Sequence, residues 1–243
     1  MKKQLSLIVN ALFNLKATTK VSQTVNLTKA GTLSTLASVY LSTVTNLTVT
    51  GNIDARDIKT IRDKMPKLAV LDISGVYILA YKGTAGTAGT SSTSYPASEM
   101  PTFSFYNTFT GGKTSLKSIA LPTTLISIEY GAFMGCSNLT GSLTIPNSVT
   151  SIGRDAFNGC SKISSLTLGN SVTKIGDHVF YNCSGLKLIY CLNETPPTLG
   201  LYAFIGDISV TNVFVPTIAA VIAYKAAISY FQRNKINIEQ AKS

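Results

Sequence analysis

Large apolar residues recur through the second half of this chain in units of 23 to 24 residues. Phe133, Phe157, Phe180 and Phe204 are spaced 24, 23 and 24 apart, and a short text repeats around the first three: GAFMGCSNL from Gly131, DAFNGCSKI from Asp155 and HVFYNCSGL from His178. A unit of this size is too small to bury its own apolar face and must stack on its neighbours. The pattern therefore predicts a solenoid, with the four rings in one column.

A second signature precedes each ring. Leu116-x-x-Ile119-x-Leu121, Ile163-x-x-Leu166-x-Leu168 and Leu186-x-x-Ile189-x-Cys191 share one spacing, and Leu139-x-x-x-Leu143-x-Ile145 carries one extra residue. Apolar residues two apart point to one face of an extended strand, and the residue between them points to the other. Ala120, Thr144, Thr167 and Tyr190 are thus expected to face outward, and Val213-Phe-Val-Pro216 extends the column to Phe214. Pro122, Pro146 or Gly169 follows each strand, and proline ends a ladder because it supplies no amide donor. An apolar pair (Leu125/Ile128, Val149/Ile152, Val172/Ile175) and a short turn carrying Ala-Phe complete the rung.

The same phase continues upstream in Val44-x-x-Leu47-x-Val49 and Leu68-x-x-Leu71-x-Ile73. Between them Ile58, Ile61 and Met65 recur at helical spacing, which predicts a helix on the outer side over Asp57 to Met65. Leu33, Leu36 and Tyr40 suggest a shorter amphipathic helix before it. Gly83 to Ser94, GTAGTAGTSSTS, breaks the period without a large apolar group and reads as a flexible inserted loop over 83–94. Phe105-Tyr-Asn107 matches Phe180-Tyr-Asn182, so the repeat resumes by about residue 101. A terminal rung needs a cover; over 213–243 this is assigned to a strand, a helix from Pro216 to Tyr230 and a closing strand at Ile236 to Glu239.

Composition fits one continuous solenoid over 24–243: 45% of residues are hydrophobic, 13% are charged, and no charged or Pro-rich linker divides them. No apolar run approaches the roughly 18 residues of a membrane span. Residues 1–23 admit two readings. Met1-Lys-Lys3 followed by the apolar stretch Leu5 to Leu15 resembles a secretory signal; Leu5, Ile8, Val9, Leu12 and Phe13 also share one face of a helix. No Cys follows the segment, which argues against a bacterial lipid anchor.

The net charge of +10 is concentrated early, with ten Lys or Arg before residue 68 against Asp54, Asp57 and Asp63. This could attract nucleic acid, an anionic polysaccharide or a membrane surface. The scatter of Lys16, Lys20, Lys29, Arg56, Lys59, Arg62, Lys64 and Lys67, without an aromatic platform, argues against nucleic acid and reads first as a solvated face. Cys136, Cys160 and Cys183 hold one place in successive repeats, where parallel side chains are poorly oriented for a disulfide. They read as buried free thiols, and Cys191 as a core strand residue. A straight column does not close round a metal. His178, the only histidine, sits two residues before Phe180 as a surface or rim substitution, and no nucleophile elbow, phosphate loop or spaced acidic pair accompanies it. No catalytic, cofactor-binding or metal-binding residue is therefore assigned.

LTIPNSVTSIGRDAFNGCSKI (143–163) and LTLGNSVTKIGDHVFYNCSGL (166–186) resemble the BspA-like leucine-rich repeat family, and the likeness extends over about residues 30 to 240. The resemblance implies an α/β leucine-rich repeat solenoid with short parallel strands on one face, short helical turns and helical caps. It also implies a class of bacterial proteins, secreted or displayed at the cell surface, some of which are adhesins toward host matrix proteins or other cells. Gly169 replaces the strand-ending proline of the family pattern, and Asp207 stands where the cysteine column would continue. The expected role is a non-enzymatic binding module, secreted or on the cell surface, recognising protein or glycan on a host or neighbouring cell. Its contact strip is expected at Ala120, Thr144, Thr167, Tyr190 and Phe214, with the two aromatics as anchors. Two alternatives stay open: a structural spacer in a surface layer whose threonines serve strand packing alone, and an anionic-polysaccharide binder acting through the basic first third.

Overall fold

The computed structural model describes residues 21–88, 93–204, 210–227 and 236–241. Nine strands line one face: β1 Ser22–Leu27, β2 Asn46–Ile53, β3 Val70–Ile78, β4 Ser118–Ala120, β5 Gly141–Thr144, β6 Ile163–Leu168, β7 Leu188–Cys191, β8 Asn212–Val215 and β9 Asn237–Gln240. They form two parallel sheets in chain order, β1-β2-β3-β4 and β5-β6-β7-β8-β9. Parallel pairing of consecutive strands requires a crossover, and here the crossover is the rest of each rung.

Another wall is a third parallel sheet of two-residue strands, Glu99–Met100, Ser127–Ile128, Ser151–Ile152, Lys174–Ile175 and Thr198–Leu199. A third wall, the loop edge, is laddered by backbone bonds without regular strands. Phe105 N–H donates to Ala132 O, Phe133 to Ala156, Phe157 to Val179 and Phe180 to Ala203, at 2.7–3.0 Å. Much of the polar backbone of these rungs is thus spent on the neighbouring rung.

The core lies between these walls. Phe105, Phe133, Phe157, Phe180 and Phe204 are buried and stacked in sequence, with ring centroids 5.0, 5.0, 5.5 and 5.1 Å apart and interplanar angles of 20° or less. That separation is close to the strand spacing of a sheet, so one axial rise serves both ladder and ring stack. Each cysteine thiol of the neighbouring column donates to the carbonyl of a ring residue one rung back: Cys136 to Phe105 O, Cys160 to Phe133 O and Cys183 to Phe157 O. All four cysteines are free and buried. Burial pushes the thiols of Cys136, Cys183 and Cys191 up to about 12 and raises Cys160 well above its ordinary value. Asp207 lies outside the described residues.

Two helices dress the first rungs. Helix α1 (Leu33–Leu36) is a single turn that buries Leu33 and leaves Leu36 56% exposed, so the expected amphipathic helix reaching Tyr40 is replaced by turns. Helix α2 (Ala55–Lys64) is capped by Asp54, whose side chain accepts from Arg56 N–H, while Asp57 accepts from Asp54 N–H in a capping box. Asp57 also accepts from Gly31 and Leu33 N–H at 2.6 and 2.9 Å, pinning α1 to α2.

The segment that leaves the period after β3 is entered and left through a two-stranded hairpin ladder, and residues 89–92 of the expected loop lie outside the described residues. Tyr81–Gly83 pairs antiparallel with Thr93–Tyr95, and the Tyr81 and Tyr95 rings stack at 5.9 Å. Tyrosines flanking the Gly/Thr run hold what the run itself cannot. The base of the hairpin is tied to α2 by Arg62, whose side chain is only 7% exposed: Nη1 donates to the carbonyls of Thr87, Phe103 and Tyr106. Arg56 lies over the Tyr81 ring and binds Asp54. Two of the basic residues expected on a solvated face are therefore anchors; Lys16 and Lys20 lie outside the described residues, as does the signal-like segment.

At the other end, helix α3 (Ile218–Ala227) and β9 cover the last rung. Tyr224 is buried and its hydroxyl donates to Asn193 O and Thr195 O at 3.1 and 3.3 Å. Gly169 has a local cause: a Cβ there would collide with the Pro146 carbonyl of the preceding rung.

Candidate functional site: the strand-lined face

Along each strand of the face the side chains alternate. Leu143 and Ile145, Leu166 and Leu168, Ile189 and Cys191, Val213 and Val215 are buried, while the residues between them face away from the core. In-register parallel pairing turns this alternation into a column. Thr144 is paired with Thr167, Thr167 with Tyr190, and Tyr190 with Phe214. Thr144 is exposed and the other three are half-buried by one another. The Tyr190 and Phe214 rings stack at 4.9 Å with an angle of 15°, forming one amphipathic plate with a phenol edge.

Ala120 is exposed but stands apart. It closes the first sheet beside Asp72, and no ladder joins β4 to β5. The cause is the extra residue after Leu139. Gly141 takes φ +75°, a left-handed conformation glycine accepts without a Cβ penalty, and the β5–β6 register slips between Gly141 and Ser142. Thr140 N–H still reaches Lys117 O at 3.0 Å, so the strands part only beyond that point. The parting opens a notch of about 600 Å³, lined by Ala120, Leu121 and Thr123 on one side and by Ser142, Thr144 and Pro146 on the other. Of the expected contact residues, Ala120 and Thr144 thus line a notch, Tyr190 and Phe214 form a plate, and Thr167 stands in register between them.

The same column continues on the strands at both ends of the solenoid. Thr24 pairs with Thr48, Thr48 with Asp72, and Glu239 follows Phe214. Asp72 accepts from the Ser74 amide and hydroxyl at 2.9 and 2.7 Å, and Glu239 accepts from Asn212 Nδ2 at 3.0 Å. Thr48 and Asp72 sit in the middle of the upstream motifs, so the signal was present. A parallel outward column runs through Ser142, Ser165, Leu188 and Asn212; the Ser142 and Ser165 hydroxyls are 2.7 Å apart. The face is hydroxyl-rich and weakly charged, which suits contact by shape and hydrogen bonding over ionic attraction.

A family model for the BspA type leucine-rich repeat region matches residues 102–236 in six copies. This chain belongs to the BspA-type leucine-rich repeat family. The match begins where the ring stack begins, at Phe105, and the rungs before the hairpin join the same solenoid through the β3–β4 ladder. No curated protein matches the chain.

His178 lies on the loop edge, away from the strand face. It shares a shallow recess with Asp155, the one carboxylate lining it. Asp155 already accepts from Arg154 Nε at 3.0 Å and from Asn158 Nδ2 at 2.8 Å. Among the described residues no group of three or more His, Cys, Asp or Glu could hold a metal, and no helix is long and apolar enough to cross a membrane.

Proposed function

We propose that this BspA-type solenoid is a non-catalytic binding module of the cell exterior, which engages protein or glycan on a host or neighbouring cell through its strand-lined face. The observation that carries this reading is the stacked Tyr190–Phe214 plate, standing in register with Thr167 and Thr144 on an outward column. Aromatic rings supply most of the energy at such contacts, at small conformational cost, and flanking hydroxyls supply directional hydrogen bonds. The notch beside Thr144 gives the plate a neighbouring cavity for a protruding group. Use of Arg56 and Arg62 as internal anchors weakens the alternative of an anionic polymer bound through the basic first third.

The test is a binding screen against immobilised matrix proteins and glycans, followed by Tyr190→Ala and Phe214→Ala. Each substitution is expected to weaken a captured ligand about tenfold or more. Capture that survives both substitutions overturns the assignment of the face. Capture lost at modest salt assigns the interaction to charge, and no capture at all favours the structural spacer.

A further inference from the structure

The loop edge carries a second surface that the strand face does not use. One turn position recurs there in the left-handed conformation: Phe103, Gly131, Asp155, His178 and Tyr202, with φ of 56°, 58°, 56°, 55° and 57°. Backbone bonds stack these turns into a column, Phe103 N–H to Tyr130 O, Gly131 to Arg154 O, Asp155 to Asp177 O and His178 to Leu201 O. Left-handed backbone suits glycine and is unfavourable for bulky side chains. Glycine fills the position once, at Gly131, where a Cβ would press on the Phe103 ring at 2.9 Å. Three of the other four rungs hold a ring there instead.

Asp155, His178 and Tyr202 border an open, shallow recess of about 460 Å³, completed by Arg154, Asn158 and Tyr181. The His178 ring meets Tyr181 edge-on at 5.5 Å and Tyr202 at 5.4 Å. Its Nδ1 is buried without a hydrogen-bond partner, so packing alone places the imidazole. Tyr202 is 54% exposed. Neither tyrosine hydroxyl has a partner among the described residues, and Arg154, 61% exposed, engages Asp155 through Nε, leaving its terminal nitrogens open. The recess thus combines one exposed ring, Tyr202, and two half-buried ones, Tyr181 and His178, with polar groups of Arg154 and Asn158, while the paired Arg154 and Asp155 cancel each other's charge.

We infer that this loop-edge recess binds a neutral hexopyranose ring, with Tyr202 and Tyr181 against its C–H face and Asn158 and Arg154 on vicinal hydroxyls, both held in place by the buried Asp155 carboxylate. The charge balance selects a neutral sugar over an acidic one. The site is independent of the strand-lined face and uses residues from three rungs.

The test is saturation-transfer NMR on the full chain with methyl β-galactopyranoside, methyl β-glucopyranoside and glucuronate. At least one neutral glycoside is expected to receive saturation with millimolar affinity. Tyr202→Ala and Asp155→Asn should each weaken it about fivefold to tenfold, while Phe214→Ala on the strand face leaves it unchanged. Asparagine tolerates the left-handed backbone, and Arg154→Ala, at an exposed side chain, serves if Asp155→Asn disturbs the fold. Absence of transfer to both neutral glycosides, preference for glucuronate, or transfer that persists in Tyr202→Ala overturns the site. Loss of transfer in Phe214→Ala moves the sugar to the strand face and overturns it equally.

Discussion

Phe157 is enclosed by Phe133 at 5.0 Å and Phe180 at 5.5 Å, both nearly parallel to it. Removing this ring leaves a cavity whose walls belong to two other rungs and are held by their own backbone ladders, so collapse is limited. Phe157→Ala is expected to destabilise the fold by about 3–5 kcal/mol, measured by denaturant unfolding; a near-neutral value would mean the ring is not stacked inside. The cysteines make a complementary prediction. Their thiols are buried and held above the ordinary thiol range, to about 12 for Cys136, Cys183 and Cys191, so the thiolate that reacts is scarce at neutral pH. The native protein is expected to resist an aromatic disulfide reagent, and all four cysteines to react on unfolding. Rapid native reaction at any one of them would show a local opening of its rung.

At the scale of elements, the joint between the first rungs and the repeat depends on two cations, Lys113 and Arg62, the second of which the sequence presented as ordinary surface charge. Arg62 from α2 donates to three carbonyls of the hairpin and the resuming repeat. Lys113 Nζ donates to Met65 O at 2.7 Å and Arg62 O at 3.3 Å, closing the same joint from the other side. Burial is the main cause that lowers the Lys113 ammonium to about 8. A lysine depressed in the folded state binds fewer protons there than in the unfolded chain, so stability rises with pH between about 8 and the unfolded value near 10.4. Wild type is expected to gain stability relative to Lys113→Met as pH is raised from 7 to about 10, in thermal melts at matched salt. A difference that stays flat or falls would show that the ammonium is not desolvated. The neutral amine keeps two N–H groups, so both carbonyls remain served after deprotonation.

At the scale of the whole molecule, the solenoid exposes two built surfaces on different walls, the strand-lined column and the loop-edge recess. Both arise from one axial rise of about one strand spacing, which lines up any position that repeats. The two surfaces respond to different substitutions, Phe214→Ala for one and Tyr202→Ala for the other, so they can be tested separately in the same chain.

The period of the rings, the inward strand residues and the outward column of Thr144, Thr167, Tyr190 and Phe214 were legible in the sequence, because spacing along a strand and recurrence between rungs are local properties that any in-register stack preserves. The helix over Ile58 and Ile61 was legible for the same reason, through its apolar spacing. Other features exist only between rungs. The notch depends on how one extra residue at Gly141 is absorbed, the hairpin on a pair of tyrosines outside its own run, and the anchoring of Arg62 on carbonyls more than twenty residues away. The loop-edge recess joins Asp155, His178 and Tyr202, which in the chain look like unrelated substitutions at one turn position. Only the stacking of three rungs sets their side chains around a common space, since that proximity is created by the rise of the coil and not by any spacing within a rung.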